Sequence, residues 1–164
     1  MPNTKLYPNE ARKAGRRAYK LAQSLFPIPR SLTGPGVVST LERINEELNA
    51  DMSLHRVPSG TKVCDWTIPP EWSVNNAYIV SPDGERFAQF SESPLHLVGY
   101  SVPVNKTLSL DSLQEHLYSL PSQPNAIPYV TSYYERRWGF CLSHRKRKSL
   151  SEGEYRVVIE TELD

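Results

Sequence analysis

The chain has 164 residues, with 19 Lys and Arg against 18 Asp and Glu, and a net charge of +1 exerts no general pull on nucleic acid or membrane. That length holds one full domain, or one small domain with an appended half, and disfavours a second complete one. Fourteen prolines against eight glycines predict stiff, ordered connections. The two cysteines, Cys64 and Cys141, have no neighbour at metal-ligand spacing and read as small buried hydrophobes.

Along the chain, Asn9 stands where a helix N-cap would. Ala11, Ala14, Ala18, Leu21, Ala22, Leu25 and Phe26 then recur at three- and four-residue spacing, which predicts an amphipathic helix. Pro27 and Pro29 end it by removing donors and restricting the backbone. Five basic side chains between Ala11 and Lys20 imitate a mitochondrial presequence, but the stripe continues through Leu25 and Phe26, which favours a folded helix of a cytoplasmic protein. No apolar stretch approaches the roughly 20 residues of a membrane-spanning helix. The tight run Arg30 to Gly36 leads to a second helix whose buried face is Val37, Leu41, Ile44 and Leu48, with Glu42, Arg43, Glu46 and Glu47 outward.

From Met52 the period becomes two, which predicts a strand up to Val57 before the turn Pro58-Ser59-Gly60. Lys62 to Val104 reads as a compact β module, clearest at Ala77–Val80 and Arg86–Phe90 around the turn Pro82-Asp83-Gly84. Ser109 caps a short helix with Leu110, Leu113, Leu117 and Leu120 on one face, ended by Pro121. Two aromatic, β-prone runs, 127–134 and 138–144, flank Glu135-Arg136-Arg137 and predict a β-hairpin. Its rings form either a binding wall or simply core, and spacing alone does not separate the two. A basic tetrad, Arg145 to Lys148, reads as a solvated turn before a buried strand at Tyr155–Glu160.

None of His55, His96, His116 and His144 has a second ligand at metal spacing. There is no Gly-x-Ser-x-Gly elbow and no phosphate-binding glycine loop, since Pro35 removes a donor from Thr33-Gly34-Pro35-Gly36. Arg30 and Ser31 are candidates to meet an anionic group. No RNA-binding strand signature accompanies the tetrad, so nucleic acid is not an expected partner.

Four runs together carry a resemblance: Leu25 to Gly36 (LFPIPRSLTGPG), Val57 to Pro69 (VPSGTKVCDWTIP), Leu95 to Ser101 (LHLVGYS) and Ile127 to His144. In this order they resemble the N-terminal part of bacterial aminopeptidase-like proteins, zinc-dependent peptidases with an inserted β-rich domain of unknown function. The resemblance implies an α+β chain: a helix pair and flanking strands of an incomplete α/β aminopeptidase-like sheet, interrupted by a β-rich module carrying one short helix. It divides the chain into 1–57 (helix pair and first strand), 58–150 (inserted module) and 151–164 (re-entry strand). The family's metal ligands lie beyond that strand. The resemblance therefore implies zinc in the full-length family but no metal ligand, catalytic residue or cofactor in this chain.

Three expectations follow. The first is an N-terminal portion that shapes the substrate cleft but is inactive alone, with Arg30, Ser31, Tyr133, Trp138 and His144 facing a peptide or other amide substrate or acting as a lid. Its partners would be the missing catalytic half or a second copy, because the last strand's edge and the helix faces seek cover; no membrane is expected. The second is a stand-alone interaction or ligand-binding module. The third, a small unrelated enzyme, lacks a catalytic constellation.

Overall fold

The computed structural model describes residues 8–30, 33–49, 51–133 and 135–164, and the chain is α+β. It divides into two compact units, residues 1–55 and 56–164. No described helix is long and apolar enough to cross a membrane.

The first unit is a helix pair, α1 (Pro8–Leu25) and α2 (Pro35–Leu48). α1 takes in Asn9 rather than being capped by it, and stops at Leu25 just before Pro27 and Pro29. Its alanine stripe is exposed, as are Tyr19 and Phe26; Leu25 is its buried residue. The glycines at the entry of α2 each meet a steric demand. Gly34 adopts φ 95°, where a side chain is strained, and a Cβ on Gly36 would overlap the Pro29 carbonyl oxygen. Arg17 joins the helices, with Nε 2.8 Å from Glu47 Oε1 and Nη2 2.8 Å from the Glu47 carbonyl oxygen. Arg43 Nη1 donates to the Ser24 carbonyl at 3.0 Å.

The strand expected at Met52–Val57 does not form. Those residues are exposed and unpaired with any described strand, and alternation makes a strand only where a neighbour completes the ladder. The second unit instead opens with a small hairpin, β1 (Lys62–Val63) and β2 (Trp66–Thr67). Its body is a four-stranded antiparallel sheet in the order β4-β3-β8-β5, built from β3 (Trp72–Val80), β4 (Arg86–Phe87), β5 (Val104–Ser109) and β8 (Glu154–Leu163). The turn Pro82-Asp83-Gly84 forms as expected and sets Ile79 opposite Phe87 and Val80 opposite Arg86, with Gly84 at φ 86°. The last strand, read from sequence as part of a peptidase-like body, lies at the centre of this sheet between β3 and β5. Tyr155, Val157, Ile159 and Thr161 are buried on one face and Glu154, Arg156, Glu160 and Glu162 stay outside, while Val158 on the second face is also buried.

The remaining elements cover that inner face. α3 (Leu110–Gln114) is capped as expected, Ser109 Oγ accepting from the Ser112 amide. It ends before Leu117, which enters β6 (Leu117–Tyr118), paired in parallel with β7 (Phe140–Cys141). The expected hairpin over 127–144 is therefore corrected. Its first arm bridges Gly99 through Thr131, and its second pairs with β6 and with Leu97, so each run takes a partner from elsewhere in the chain. The basic tetrad is likewise no turn but lies in α4 (His144–Lys148), capped by Ser143 Oγ on the Lys146 amide. Leu97, Tyr100, Leu113, Leu117, Trp138, Phe140 and Leu142 pack on the sheet as one core.

Candidate functional site

Ser31 lies outside the described residues. Arg30 belongs to the first unit, where its Nη1 donates to the Leu25 carbonyl and, at 3.4 Å, to that of Ile28. A guanidinium at the end of α1 adds a charged donor to the Leu25 carbonyl, which also accepts from the Ile28 amide at 3.1 Å, and sits favourably at the negative end of the helix dipole.

Tyr133, Trp138 and His144 lie in the second unit, in three separate settings. Tyr133 is half-buried and meets the Tyr100 ring edge-on at 5.1 Å; Tyr100 in turn stacks on Trp72 at 5.6 Å. Tyr100 holds φ 64°, a conformation costly for a side chain of its size. The next residue stabilises it. The carbonyl of fully buried Ser101 accepts from Trp72 Nε1 at 3.1 Å and Thr161 Oγ1 at 2.9 Å, while its hydroxyl donates to the Val98 carbonyl at 2.7 Å.

Trp138 is only 7% exposed. It stacks on His116 at 3.6 Å between centroids, and Lys106, projecting from the inner face of β5, brings Nζ to 4.8 Å from the Trp138 ring centroid. Burial lowers the His116 pKa, helped by the Lys106 charge and opposed by a hydrogen bond to the Trp138 carbonyl. Trp138 therefore packs as core.

His144 is the member with an open side. It begins α4, its Nδ1 lies 3.0 Å from Ser119 Oγ, and with Gln114, Arg147 and Lys148 it lines an open concavity between the ends of α3 and α4. Arg147 is braced there by Gln114 through Nε to Oε1 at 2.7 Å and Nη2 to the carbonyl at 3.0 Å. Sequence reasoning missed Ser119 and Gln114, because nothing local marks residues brought alongside 144–147 by tertiary pairing. It saw the tetrad but not that a helix sorts its members onto different faces.

A hydroxyl hydrogen-bonded to an imidazole is the start of a nucleophile–base pair, but no carboxylate orients His144 among the described hydrogen bonds. Cys141 offers no alternative nucleophile: it is fully buried, and desolvation pushes its thiol up to about 12. The described residues do not fit a zinc ion either, since nowhere do three His, Cys, Asp or Glu side chains gather.

The chain is 42% identical over 158 residues to a protein of Clostridium acetobutylicum described as a "putative polysaccharide biosynthesis protein with aminopeptidase-like domain", a match covering 96% of this chain and 36% of that one. It superposes with a TM-score of 0.88 and 43% identity on the crystal structure of a "putative peptidase" from Clostridium acetobutylicum, over 93% of this chain and 36% of the other. The chain thus spans about a third of the length of these relatives. Residues 71–162, which hold all of the four-stranded sheet but its last residue, Leu163, match the model of a domain of unknown function, DUF2172, and the chain belongs to that family.

Proposed function

We propose that the chain is the N-terminal and inserted portion of an aminopeptidase-like zinc hydrolase, bordering the substrate cleft while residues outside the matched third supply metal and general base. The observation that carries this reading is the match of 96% of the chain to 36% of a relative whose description includes an aminopeptidase-like domain. A hydrolytic zinc site needs three protein ligands and an open position. In this reading the chain contributes binding surface, of which the His144 concavity is the exposed polar part, and acts on a peptide or another amide.

The test is an assay of the purified chain with zinc and aminoacyl amides, beside the full-length Clostridium acetobutylicum relative. No turnover is expected from the chain, and zinc-dependent turnover from the relative. Turnover by the chain alone refutes the reading, as does a relative that neither holds zinc nor cleaves amides. One observation favours a second reading, an interaction module: the β1–β2 hairpin leaves Val63 45% and Trp66 42% exposed side by side.

A further inference from the structure

The concavity beside His144 presents hydrogen-bond donors and no carboxylate. Its lining residues are Gln114, His144, Arg147 and Lys148. Arg147 and Lys148 are donors with no acceptor capacity. The bond from Arg147 Nε to Gln114 Oε1, at 2.7 Å, takes one of the two lone pairs of the amide oxygen and fixes which end of the amide is NH2. Ser119 Oγ lies 3.0 Å from His144 Nδ1; with the hydroxyl donating, the neutral ring carries its proton on Nε2, and the protonated ring carries one there as well. Four side chains thus offer N–H groups.

Charge points the same way. The two ion pairs among the described residues are Arg17 with Glu47 and Arg137 with Glu135, so neither Arg147 nor Lys148 is neutralised by a carboxylate. Arg147 is also pre-ordered: its second bond, Nη2 to the Gln114 carbonyl at 3.0 Å, holds the guanidinium plane before any ligand arrives. A site with two permanent cations, two further donors and no carboxylate suits a doubly charged oxyanion with three free oxygens better than a singly charged carboxylate.

We propose that this concavity binds a phosphoryl group, free or as the phosphate monoester of a small molecule. The amide of Gln114, Nε2 of His144, the guanidinium of Arg147 and the ammonium of Lys148 are its donors, and Ser119 is a positioning residue that sets the tautomer of His144.

The purified full chain is titrated separately with inorganic phosphate, glycerol phosphate and acetate in chloride buffer, following the Gln114 side-chain amide, Arg147 Nε–H and His144 ring signals by NMR. Saturable shifts at these groups with Kd of about 1 mM or below are expected for a phosphate probe. Binding of both phosphate probes identifies the phosphoryl group alone as sufficient; binding of glycerol phosphate only identifies a monoester site. Lys148→Glu, at an exposed position, is expected to weaken binding at least tenfold, and Arg147→Gln comparably. The proposal is overturned if neither phosphate probe saturates, if acetate binds as tightly, or if Lys148→Glu, with the remaining spectrum unchanged, binds phosphate as the parent does.

Discussion

Replacing Trp138 by Ala decides whether its ring is core or binding wall. At 7% exposure the ring is nearly withdrawn from water, and truncating a buried Trp costs about 3–5 kcal/mol. That figure takes in the His116 stack and the Lys106 cation–π contact, each worth about 0.5–1.5 kcal/mol at most here. Set against a total stability of about 5–15 kcal/mol, a loss near 4 kcal/mol removes a large share. At about 4–8 °C per kcal/mol for a unit of this size, Tm should fall by about 15–30 °C. Differential scanning calorimetry measures this, with Trp138→Phe as the milder control. A second readout comes from His116. Burial keeps its folded-state pKa below the ordinary 6.5, so the unfolded chain takes up the proton first and stability is lost as pH drops from 6.5 through the folded value. Opening the stack in Trp138→Ala should return the His116 titration toward 6.5 in an NMR pH series and flatten that acid loss. A Tm within a few degrees of the parent, with His116 unchanged, refutes the core assignment.

Two further outcomes follow from the same packing. A Cβ on Gly139 would lie 2.7 Å from Tyr118 Cε2 and 2.8 Å from the His116 carbonyl oxygen, so Gly139→Ala should cost about 1–3 kcal/mol in urea unfolding; an unchanged midpoint refutes the close approach of β6 and β7. Exposed Cys64 should react with iodoacetamide in the native chain while Cys141 reacts only after denaturation. With its thiol raised from 9.0 to about 12, Cys141 keeps its proton in the fold while the unfolded chain loses it, so stability should decline by up to about 1.4 kcal/mol per pH unit between 9 and 12, and Cys141→Ala should remove that slope.

The aromatic run at 127–144 shows where local reading stopped. Ile127 to Val130 and Phe140 to Leu142 have the composition of strands; the structure forms a bridge at Thr131, just after the first run, and pairs the second through Phe140 and Cys141. Composition could not tell that Thr131 pairs with Gly99 and Phe140 with Leu117, because β pairing joins residues far apart in the chain. The same limit applied to the candidate site. His144 was visible as a histidine after an aromatic strand, but its partner Ser119 precedes it by 25 residues. Trp138 was visible as a ring, yet burial depends on the sheet face beneath it.

What the sequence alone determined is what depends on near neighbours. The proline stop after α1, the glycine entry to α2, the Ser109 cap and the turn that sets β3 against β4 each rest on conformational preferences acting over a few residues. The α+β class and the kinship with aminopeptidase-like proteins were also legible, from several motifs in order. Tertiary structure decided the rest: that the last strand is the centre of the sheet, that Trp138 and His116 are stacked beneath Lys106, and that Gln114, His144, Arg147 and Lys148 line one concavity. The physical reason is that burial, stacking and charge convergence are properties of surfaces that meet only after the chain has closed on itself.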